Sequence, residues 1–229
     1  MENVLSDAPM TSLLPKIQKD GYAFLESFHS GLSTRDLLAL VGDAVALGLG
    51  GPAHQLRPHR AEEAPLNTYS GNYGLGELPL HTDLAHWYLP PRYFLLRCVV
   101  GFAEVPTAVV DSAPLVAKMG ATALMRALMQ PRRPISGKRP LLRLYQPVED
   151  GTHILRWDEK YLKPATGAGA SGASIFHNFL AAAPRIQARL WQPGDTLIVD
   201  NWRMPHGRAP VPENSSDRVI ERVYLRSLH

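Results

Sequence analysis

The chain has 229 residues, 45% of them hydrophobic and 20% charged, which is ordinary for a soluble globular protein and enough for one domain with a large core. The formal net charge of +3 comes from dispersed basic residues without interleaved aromatics, which disfavours nucleic acid as a partner and leaves a mild preference for small anions. Cys98 is the only cysteine, which excludes an intramolecular disulfide and favours a reducing, cytoplasmic compartment. We expect neither a signal peptide nor a membrane-spanning segment, and these properties leave the oligomeric state open.

The N-terminal part is predicted to contain a loose start, a short strand and one long helix. We expect residues 1–20 to be loosely structured and residues 21–24 to form a strand. Ser33, followed three residues later by Asp36, marks a helix N-terminus, because a serine at that position accepts a hydrogen bond from a backbone N–H of the first turn. Apolar residues at helical spacing then predict an amphipathic helix to about residue 47.

The remaining chain is predicted to alternate short strands with two helices. Residues 67–73, punctuated by Gly, Asn and Ser, lead into a strand that carries His81. Residues 164–174 are mostly Gly, Ala and Ser, which predicts a flexible segment that is either a plain surface connection or a lid. The other expected strands are 93–100, 141–145, 153–157, 196–199 and 219–225, and the expected helices are 113–129 and 174–190.

Many short strands with few helices favour a mainly β fold with flanking helices. This pattern is typical of a jelly-roll barrel. The sequence shows no internal repeat and no sign of a second domain, so we expect a single domain over residues 1–229.

A candidate metal site begins at His81-Thr82-Asp83. In an extended strand, residues i and i+2 point to the same side, so His81 and Asp83 can face one point while Thr82 turns away. A distant His206 would add a second imidazole. Two histidines and one carboxylate on one face of a metal are the ligand set of non-haem Fe(II) oxygenases and leave open positions for substrates. For an isolated His-x-Asp triplet, a surface pair would be the better interpretation.

The residues around this triplet resemble the taurine dioxygenase-like family of Fe(II)/2-oxoglutarate-dependent oxygenases. The resemblance covers roughly residues 66–226 and is strongest in the C-terminal half. It implies a double-stranded β-helix with helices packed outside, and His81, Asp83 and His206 as ligands of Fe(II). The segments that carry it are 80–84, 90–92, 95–96, 193–195, Asp200-Asn201-Trp202, His206-Gly207-Arg208 and 217–222.

Arginines recur along the last predicted strand. Residues 218, 220, 222, 224 and 226 share one side of it, and the alternation alone fits either a solvated outer face or an inward face lined for anions. The resemblance favours the inward face. It implies that Arg218 binds the far carboxylate of 2-oxoglutarate, which needs a planar, permanently charged partner, and that Arg222 binds an anionic group of the substrate.

Further candidates surround the expected site. The resemblance implies that the Thr107 hydroxyl also binds 2-oxoglutarate, although Glu104-Val105-Pro106 stand where the family has a glycine-rich turn. His86 and Asn72 are candidates for substrate contact. A basic run, 132–139, is either a solvated loop or a loop over the pocket mouth that attracts acidic substrates.

The resemblance implies an enzyme that couples O₂ and 2-oxoglutarate to the oxidation of an unactivated C–H bond, releasing succinate and CO₂. The expected substrate is a small, anionic molecule such as an amino acid or a natural-product intermediate. Two other functions stay open at this point: a metal-binding or regulatory barrel without turnover, and a zinc-dependent hydrolase, since two histidines and a carboxylate also serve zinc enzymes.

Overall fold

The structure is a computed structural model that describes residues 13–47 and 51–229. Within these ranges the chain forms six α-helices and fifteen strands, numbered here in chain order. The helices are α1 (Leu13–Asp20), α2 (Thr34–Val41), α3 (Tyr69–Tyr73), α4 (Ala113–Met119), α5 (Ala121–Arg126) and α6 (Gly167–Ala182). The strands are β1 (Tyr22–Leu25), β2 (Gly42–Val45), β3 (Ala53–Leu56), β4 (Leu78–His81), β5 (Tyr93–Val100), β6 (Thr107–Val109), β7 (Leu128–Pro131), β8 (Leu142–Arg143), β9 (Tyr145–Pro147), β10 (His153–Leu155), β11 (Leu162–Pro164), β12 (Ile186–Ala188), β13 (Thr196–Asp200), β14 (His206–Arg208) and β15 (Val219–Leu228).

Two antiparallel sheets dominate the fold. The larger has the strand order β1-β13-β5-β15-β2, with β3 also paired to β15, and the smaller has the order β12-β6-β14-β4. A β9–β10 hairpin and a three-stranded sheet of β11, β7 and β8 lie beside them. The predicted mainly β class is confirmed. The two main sheets share no strand pairing among the described residues, so those residues do not form a closed barrel.

The central strand β5 is apolar on both faces because both faces are covered. Phe94 and Leu96 belong to a core cluster that contains residues of both main sheets, including Val109 of β6. Tyr93 and Leu95 point the other way and pack in a cluster with α1 and α2. A strand buried on both sides reads as a continuous apolar run rather than an alternation, and this accounts for the strand that the sequence predicts at 93–100.

A third core cluster packs α4, α5 and α6 against the β9–β10 hairpin and the sheet of β11, β7 and β8, with Phe176 and Leu124 fully buried in it. The larger sheet is thus covered by α1 and α2, whereas α4, α5 and α6 cover the β9–β10 hairpin and the three-stranded sheet. In the ranges that the structure describes, no helix is both long enough and apolar enough to cross a membrane.

The predicted helix from Ser33 to residue 47 is confirmed only in its first part. The Ser33 hydroxyl oxygen accepts a hydrogen bond from the Asp36 N–H, but α2 ends at Val41 and the next four residues form β2 on the edge of β15. A side chain at Gly42 would lie 2.1 Å from the Ser227 carbonyl oxygen. Only glycine lets the backbones approach so closely, so the chain leaves the helix there to pair with β15.

Other expected element boundaries are wrong. Residues 13–20 form α1 instead of a loose start, whereas residues 1–12 lie outside the described ranges. The helix expected over 113–129 is interrupted at Gly120, which has φ +80°, and continues as α5 and then β7. Residues 67–73 include α3.

The Gly/Ala/Ser segment over 164–174 is largely helical. Helix α6 begins at Gly167 and ends at Ala182, before Pro184, so the expected helix over 174–190 is displaced towards the N-terminus. Gly169 packs against the Leu128 carbonyl, and a side chain on Gly172 would lie 2.7 Å from Ala127 Cβ. The small residues therefore serve close packing of α6, and the predicted flexible loop or lid is wrong for this stretch.

Candidate metal centre

The two candidate histidines lie opposite each other on paired strands. His81 ends β4 and His206 begins β14, and they are register partners in the smaller sheet. Their ring centroids are 4.7 Å apart. With Asp83 they form a group whose potential ligand atoms all lie within 4.8 Å of one another, and all three residues are buried. The structure thus brings together the three residues that the sequence singles out.

Backbone carbonyls orient both imidazole rings. The Nδ1 atom of His81 lies 2.8 Å from the Pro79 oxygen, and that of His206 lies 3.3 Å from the Met204 oxygen. A histidine whose Nδ1–H donates to a carbonyl presents Nε2 as the free ligand atom. The two Nε2 atoms lie 3.4 and 3.8 Å from the Asp83 carboxylate, so all donors face one point.

Asn201 fixes the backbone of Asp83. Its Oδ1 accepts a hydrogen bond from the Asp83 N–H at 2.7 Å, and its Nδ2 donates to the carbonyl oxygens of Asp83 and Pro91 at 3.0 Å each. Thr82 turns away, as expected, and its hydroxyl oxygen accepts from the Trp157 N–H. Because Asp83 follows the end of β4, a side-chain amide supplies the partners that a strand would otherwise supply.

The neighbours of Asn201 hold the same region together. The Trp202 indole N–H donates to the Pro90 carbonyl at 3.0 Å, and one Asp200 carboxylate oxygen accepts from the Trp202 N–H. The Asp-Asn-Trp motif is therefore a set of buried hydrogen bonds that joins the end of β13 to the segment between Asp83 and β5. The sequence marks this motif without revealing what it does.

The Asp83 side chain has two further partners on β15. Its Oδ2 accepts a hydrogen bond from the Tyr224 hydroxyl at 2.9 Å and from Arg222 Nη1 at 3.2 Å. Sequence reasoning missed Tyr224 as a site residue, although it shares the alternating face with Arg218 and Arg222. The inward interpretation of that face holds from Arg218 to Tyr224, while Arg226 is exposed.

The electrostatics keep the carboxylate ionised. Burial alone would raise the pKa of Asp83, but the positive charge of Arg222 and the two neighbouring histidines outweigh it, so the pKa lies well below its usual range. Burial lowers the pKa of His206. Burial also opposes protonation of His81, but the Asp83 carboxylate beside it outweighs this effect and raises its pKa. An ionised carboxylate and imidazoles that expose Nε2 are the donors a divalent metal needs.

One cavity of about 340 Å³ opens from these ligands towards Arg218. We call it the first cavity; Thr107 lines it together with Phe94, Leu96 and Ile220. Arg218 is 5% exposed, and among the described residues its buried Nε has no hydrogen-bond partner. Burial lowers its pKa to about 10, so the guanidinium is still charged at neutral pH. A buried cation with an unused donor fits a bound anion.

A second cavity of about 840 Å³ opens on another side of Asp83. His86, Tyr161 and Tyr224 line it, and so do Arg132 and Arg133 of the basic run. The first and second cavities share Asp83, Arg222, Thr68 and Tyr69. The two spaces therefore meet at the carboxylate of the candidate metal site.

Asn72 is not brought to the site. Its Nδ2 donates to the carbonyl of Thr68, the residue that caps α3, at 2.6 Å, and it lines neither the first nor the second cavity. The early end of α3 contributes instead, through Tyr69. That ring lies 4.5 Å from the His81 ring, and its hydroxyl donates to the buried Asp158 at 2.5 Å. The Gly/Asn/Ser composition of 67–73 gave no signal for this role.

Arg156 is another residue that sequence reasoning missed. It is fully buried and donates to the carbonyl oxygens of Ala85, Trp87 and Tyr88. These bonds fix the segment that carries His86, whose Nδ1 is buried without a partner among the described residues. Arg97 is paired in a similar way, with carbonyls that include those of Phe28 and His29, and has a structural role.

Comparison with known proteins agrees with this geometry. Residues 125–224 match the model of the "Taurine catabolism dioxygenase TauD, TfdA family". The fold is similar to an asparagine oxygenase solved with Fe(II), 2S,3S-3-hydroxyasparagine and succinate, at 18% identity and TM-score 0.70 over 94% of this chain and 78% of that one. It is also similar to the non-heme iron oxygenase OrfP in complex with Fe and alpha-ketoglutaric acid, at 20% identity and TM-score 0.71 over 93% and 77% of the two chains.

A mutant form of OrfP in complex with (3S)-hydroxy-L-Arg has 21% identity and TM-score 0.73 over 97% of this chain and 81% of that one. At these identities the structural likeness shows the fold, and the family match adds the class of chemistry. The buried His-Asp-His group lies where two cavities meet. Together these findings indicate a dioxygenase that depends on Fe(II) and 2-oxoglutarate and that is similar to the TauD, TfdA family over residues 125–224.

Proposed function

We propose that this enzyme oxidises, most simply by hydroxylation, an unactivated C–H bond of a small anionic substrate such as an amino acid, with conversion of 2-oxoglutarate to succinate and CO₂. The observation that carries the proposal is the convergence of His81, Asp83 and His206 at the junction of the first and second cavities. One cavity ends at a buried arginine, and the other is large enough for a small organic molecule.

His81, Asp83 and His206 would hold the iron through two Nε2 atoms and one carboxylate. Such a set fills one face of an octahedral ion and leaves three positions for co-substrate and O₂. Bound there, iron with 2-oxoglutarate and O₂ supplies the oxidising power for the C–H bond, which no side chain can provide. The protein contributes orientation, through the Pro79 and Met204 carbonyls on the rings and through Asn201 on the Asp83 backbone.

Arg218 and Thr107 would bind the far carboxylate of 2-oxoglutarate in the first cavity. A guanidinium donates two parallel hydrogen bonds to a carboxylate, and both side chains are nearly fully buried. Burial strengthens this contact, because water does not compete for either partner. Apolar side chains of the same cavity, including Phe94 and Leu96, keep water from the methylene groups of the bound co-substrate.

The organic substrate would occupy the second cavity. Arg222 lines both cavities, and its buried Nε has no partner among the described residues, so it can bind a substrate carboxylate while Nη1 stays on Asp83. Arg132, Arg133 and Lys160 add positive charge around this cavity. Glu159, which also lines it, is paired with His177. His86 lies on the same wall and is the proposed polar contact to the substrate.

Succinate release against a panel of amino acids and sulfonates tests this function. Without a substrate, slow succinate release that requires Fe(II) is expected, and one class of anionic substrate should accelerate it. Iron binding without any succinate would favour a silent metal-binding barrel. Hydrolytic activity supported by zinc, with no dependence on O₂, would favour a zinc hydrolase. If positive charge around the second cavity selects the substrate, replacing Arg132 and Arg133 by glutamine should raise KM and leave metal binding unchanged.

A further inference from the structure

The two oxygens of the Asp83 carboxylate have different surroundings. Oδ1 lies 3.4 Å from His81 Nε2. Oδ2 lies farther from the other imidazole, 3.8 Å from His206 Nε2, and accepts hydrogen bonds from the Tyr224 hydroxyl and from Arg222 Nη1. Oδ2 therefore accepts two hydrogen bonds from β15, whereas the described contact of Oδ1 is with the His81 imidazole.

The two donors come from the same face of one strand. Arg222 and Tyr224 are i and i+2 on β15, which pairs with β5 along most of its length. The Tyr224 side chain is buried and belongs to the core cluster between the main sheets. The Arg222 guanidinium lies 4.8 Å from the Tyr224 ring centroid. Packing of the ring and pairing of the strand thus fix where the hydroxyl points, independently of any metal.

We propose that Tyr224 is a positioning residue for the metal: together with Arg222 it occupies Oδ2, so that Asp83 binds the ion through Oδ1 alone. A carboxylate oxygen has two lone-pair positions, and the phenol and the guanidinium occupy both of those on Oδ2, so Oδ1 is the oxygen that stays available to a metal. The inference rests on the proposed role of Asp83 as a metal ligand and adds which of its atoms binds.

Binding of Asp83 through a single oxygen matters because it keeps coordination positions on the metal open. A carboxylate that bound through both oxygens would fill a fourth position on an octahedral ion. Two positions would then remain, which is enough for the chelating end of 2-oxoglutarate but leaves none for O₂. With Oδ2 held away, three positions stay open. Tyr224 would therefore act on the metal through Asp83, without touching substrate or co-substrate.

The test is Tyr224→Phe, with binding of Co(II) to the metal-free protein as the readout. The change removes one oxygen and keeps the ring in the core. Losing an outer hydrogen-bond partner of a metal ligand weakens affinity by about 10- to 100-fold, and we expect a loss in this range. The visible Co(II) spectrum should also change in intensity, because a carboxylate that rotates to bind through both oxygens alters the coordination geometry. Neither readout needs turnover.

Tyr145→Phe is the matched control. Tyr145 is partly buried and stacks on His153 at 4.6 Å. It lines neither cavity, so removing the same atom there should leave Co(II) affinity and spectrum equal to those of the wild type. Arg222→Gln removes the other donor to Oδ2 and provides a second variant if Tyr224→Phe does not fold. It should change the spectrum in the same direction.

The outcomes separate the two proposals. If the wild type does not bind Co(II), the metal site itself is refuted. If the wild type binds and Tyr224→Phe binds with equal affinity and an unchanged spectrum, the metal site stands and the role of Tyr224 is refuted. A weaker affinity with an unchanged spectrum would also overturn the one-oxygen claim, since Tyr224 would then only strengthen the site.

Discussion

Replacing Asn201 by alanine should destabilise the protein and weaken metal binding at the same time. The side chain makes three buried hydrogen bonds, to the N–H and the carbonyl of Asp83 and to the carbonyl of Pro91. Asn201 is 1% exposed, so bulk water does not reach these groups. Alanine would leave one donor and two acceptors without partners and would free the backbone that places the Asp83 carboxylate.

The size of the effect follows from the number of orphaned groups. Each buried group left without a partner costs about 1–3 kcal/mol, so three of them cost roughly 3–9 kcal/mol before relaxation. A water molecule entering the vacated space would recover part of this, and we expect the free energy of unfolding to fall by about 3 kcal/mol. For a chain of this length that corresponds to a Tm lower by roughly 6–12 °C.

Thermal unfolding and Co(II) titration of Asn201→Ala measure both effects. Asn178→Ala is the matched control, because Asn178 is exposed on α6 and its loss should change neither quantity. Asn201→Asp sharpens the test. An aspartate keeps the acceptor for the Asp83 N–H but turns the two donated bonds into repulsions. A Tm within 2 °C of the wild type (less than about 1 kcal/mol) for Asn201→Ala would refute the assignment.

Three further changes probe other parts of the account. Arg218→Gln should weaken 2-oxoglutarate binding by at least about 30-fold, since loss of a buried charged partner costs about 2 kcal/mol or more. Calorimetry measures the affinity, and Arg226→Gln, which changes the exposed arginine of the same strand, is the control that should bind like the wild type. Equal affinities of Arg218→Gln and the wild type would contradict the prediction. Gly207→Ala should lower both Tm and Co(II) affinity, because the new Cβ would lie 2.5 Å from the Leu78 carbonyl oxygen and push β14 from β4; unchanged values would show that the strands yield freely. Burial raises the pKa of the Cys98 thiol to about 11, so a thiol reagent at about pH 8 should label it only after unfolding, and rapid labelling of the native protein would be inconsistent with this.

The sequence could predict those site residues whose positions depend on the side-chain period of a single strand. The two-residue period of a strand pairs His81 with Asp83, although Asp83 lies two residues past the end of β4, and the inward Arg218 and Arg222 are compatible with the same period on β15. His206 needed the resemblance, because nothing local places it opposite His81. The pairing of β4 with β14 does so, and pairing between distant strands is not written in either strand alone.

Residues that act through the backbone escaped sequence reasoning. Asn201 and Arg156 bond mainly to main-chain atoms of segments far along the chain, and such contacts depend on how the segments meet. Tyr224 could have been suspected, since it follows Arg222 on the same face. Its partner Asp83 is 141 residues away, so its function becomes visible only in the fold.

The mistaken elements have the same origin. Residues 42–45 fit the end of an apolar helix by spacing, but pairing with β15 wins because Gly42 permits close approach. Residues 167–174 look flexible by composition, yet glycines at 169 and 172 allow α6 to pack against its neighbours. In both cases tertiary packing overrides local propensity.

Anaerobic titration of the metal-free protein with Fe(II) in the presence of 2-oxoglutarate tests the central claim most directly. If His81, Asp83 and His206 hold one ion beside a bound keto acid, a weak visible charge-transfer band should grow and saturate at one Fe(II) per chain. The band should be absent in His206→Ala, with the thermal unfolding of that variant otherwise close to the wild type. A wild type without the band, or a His206→Ala variant that retains it, would contradict the account.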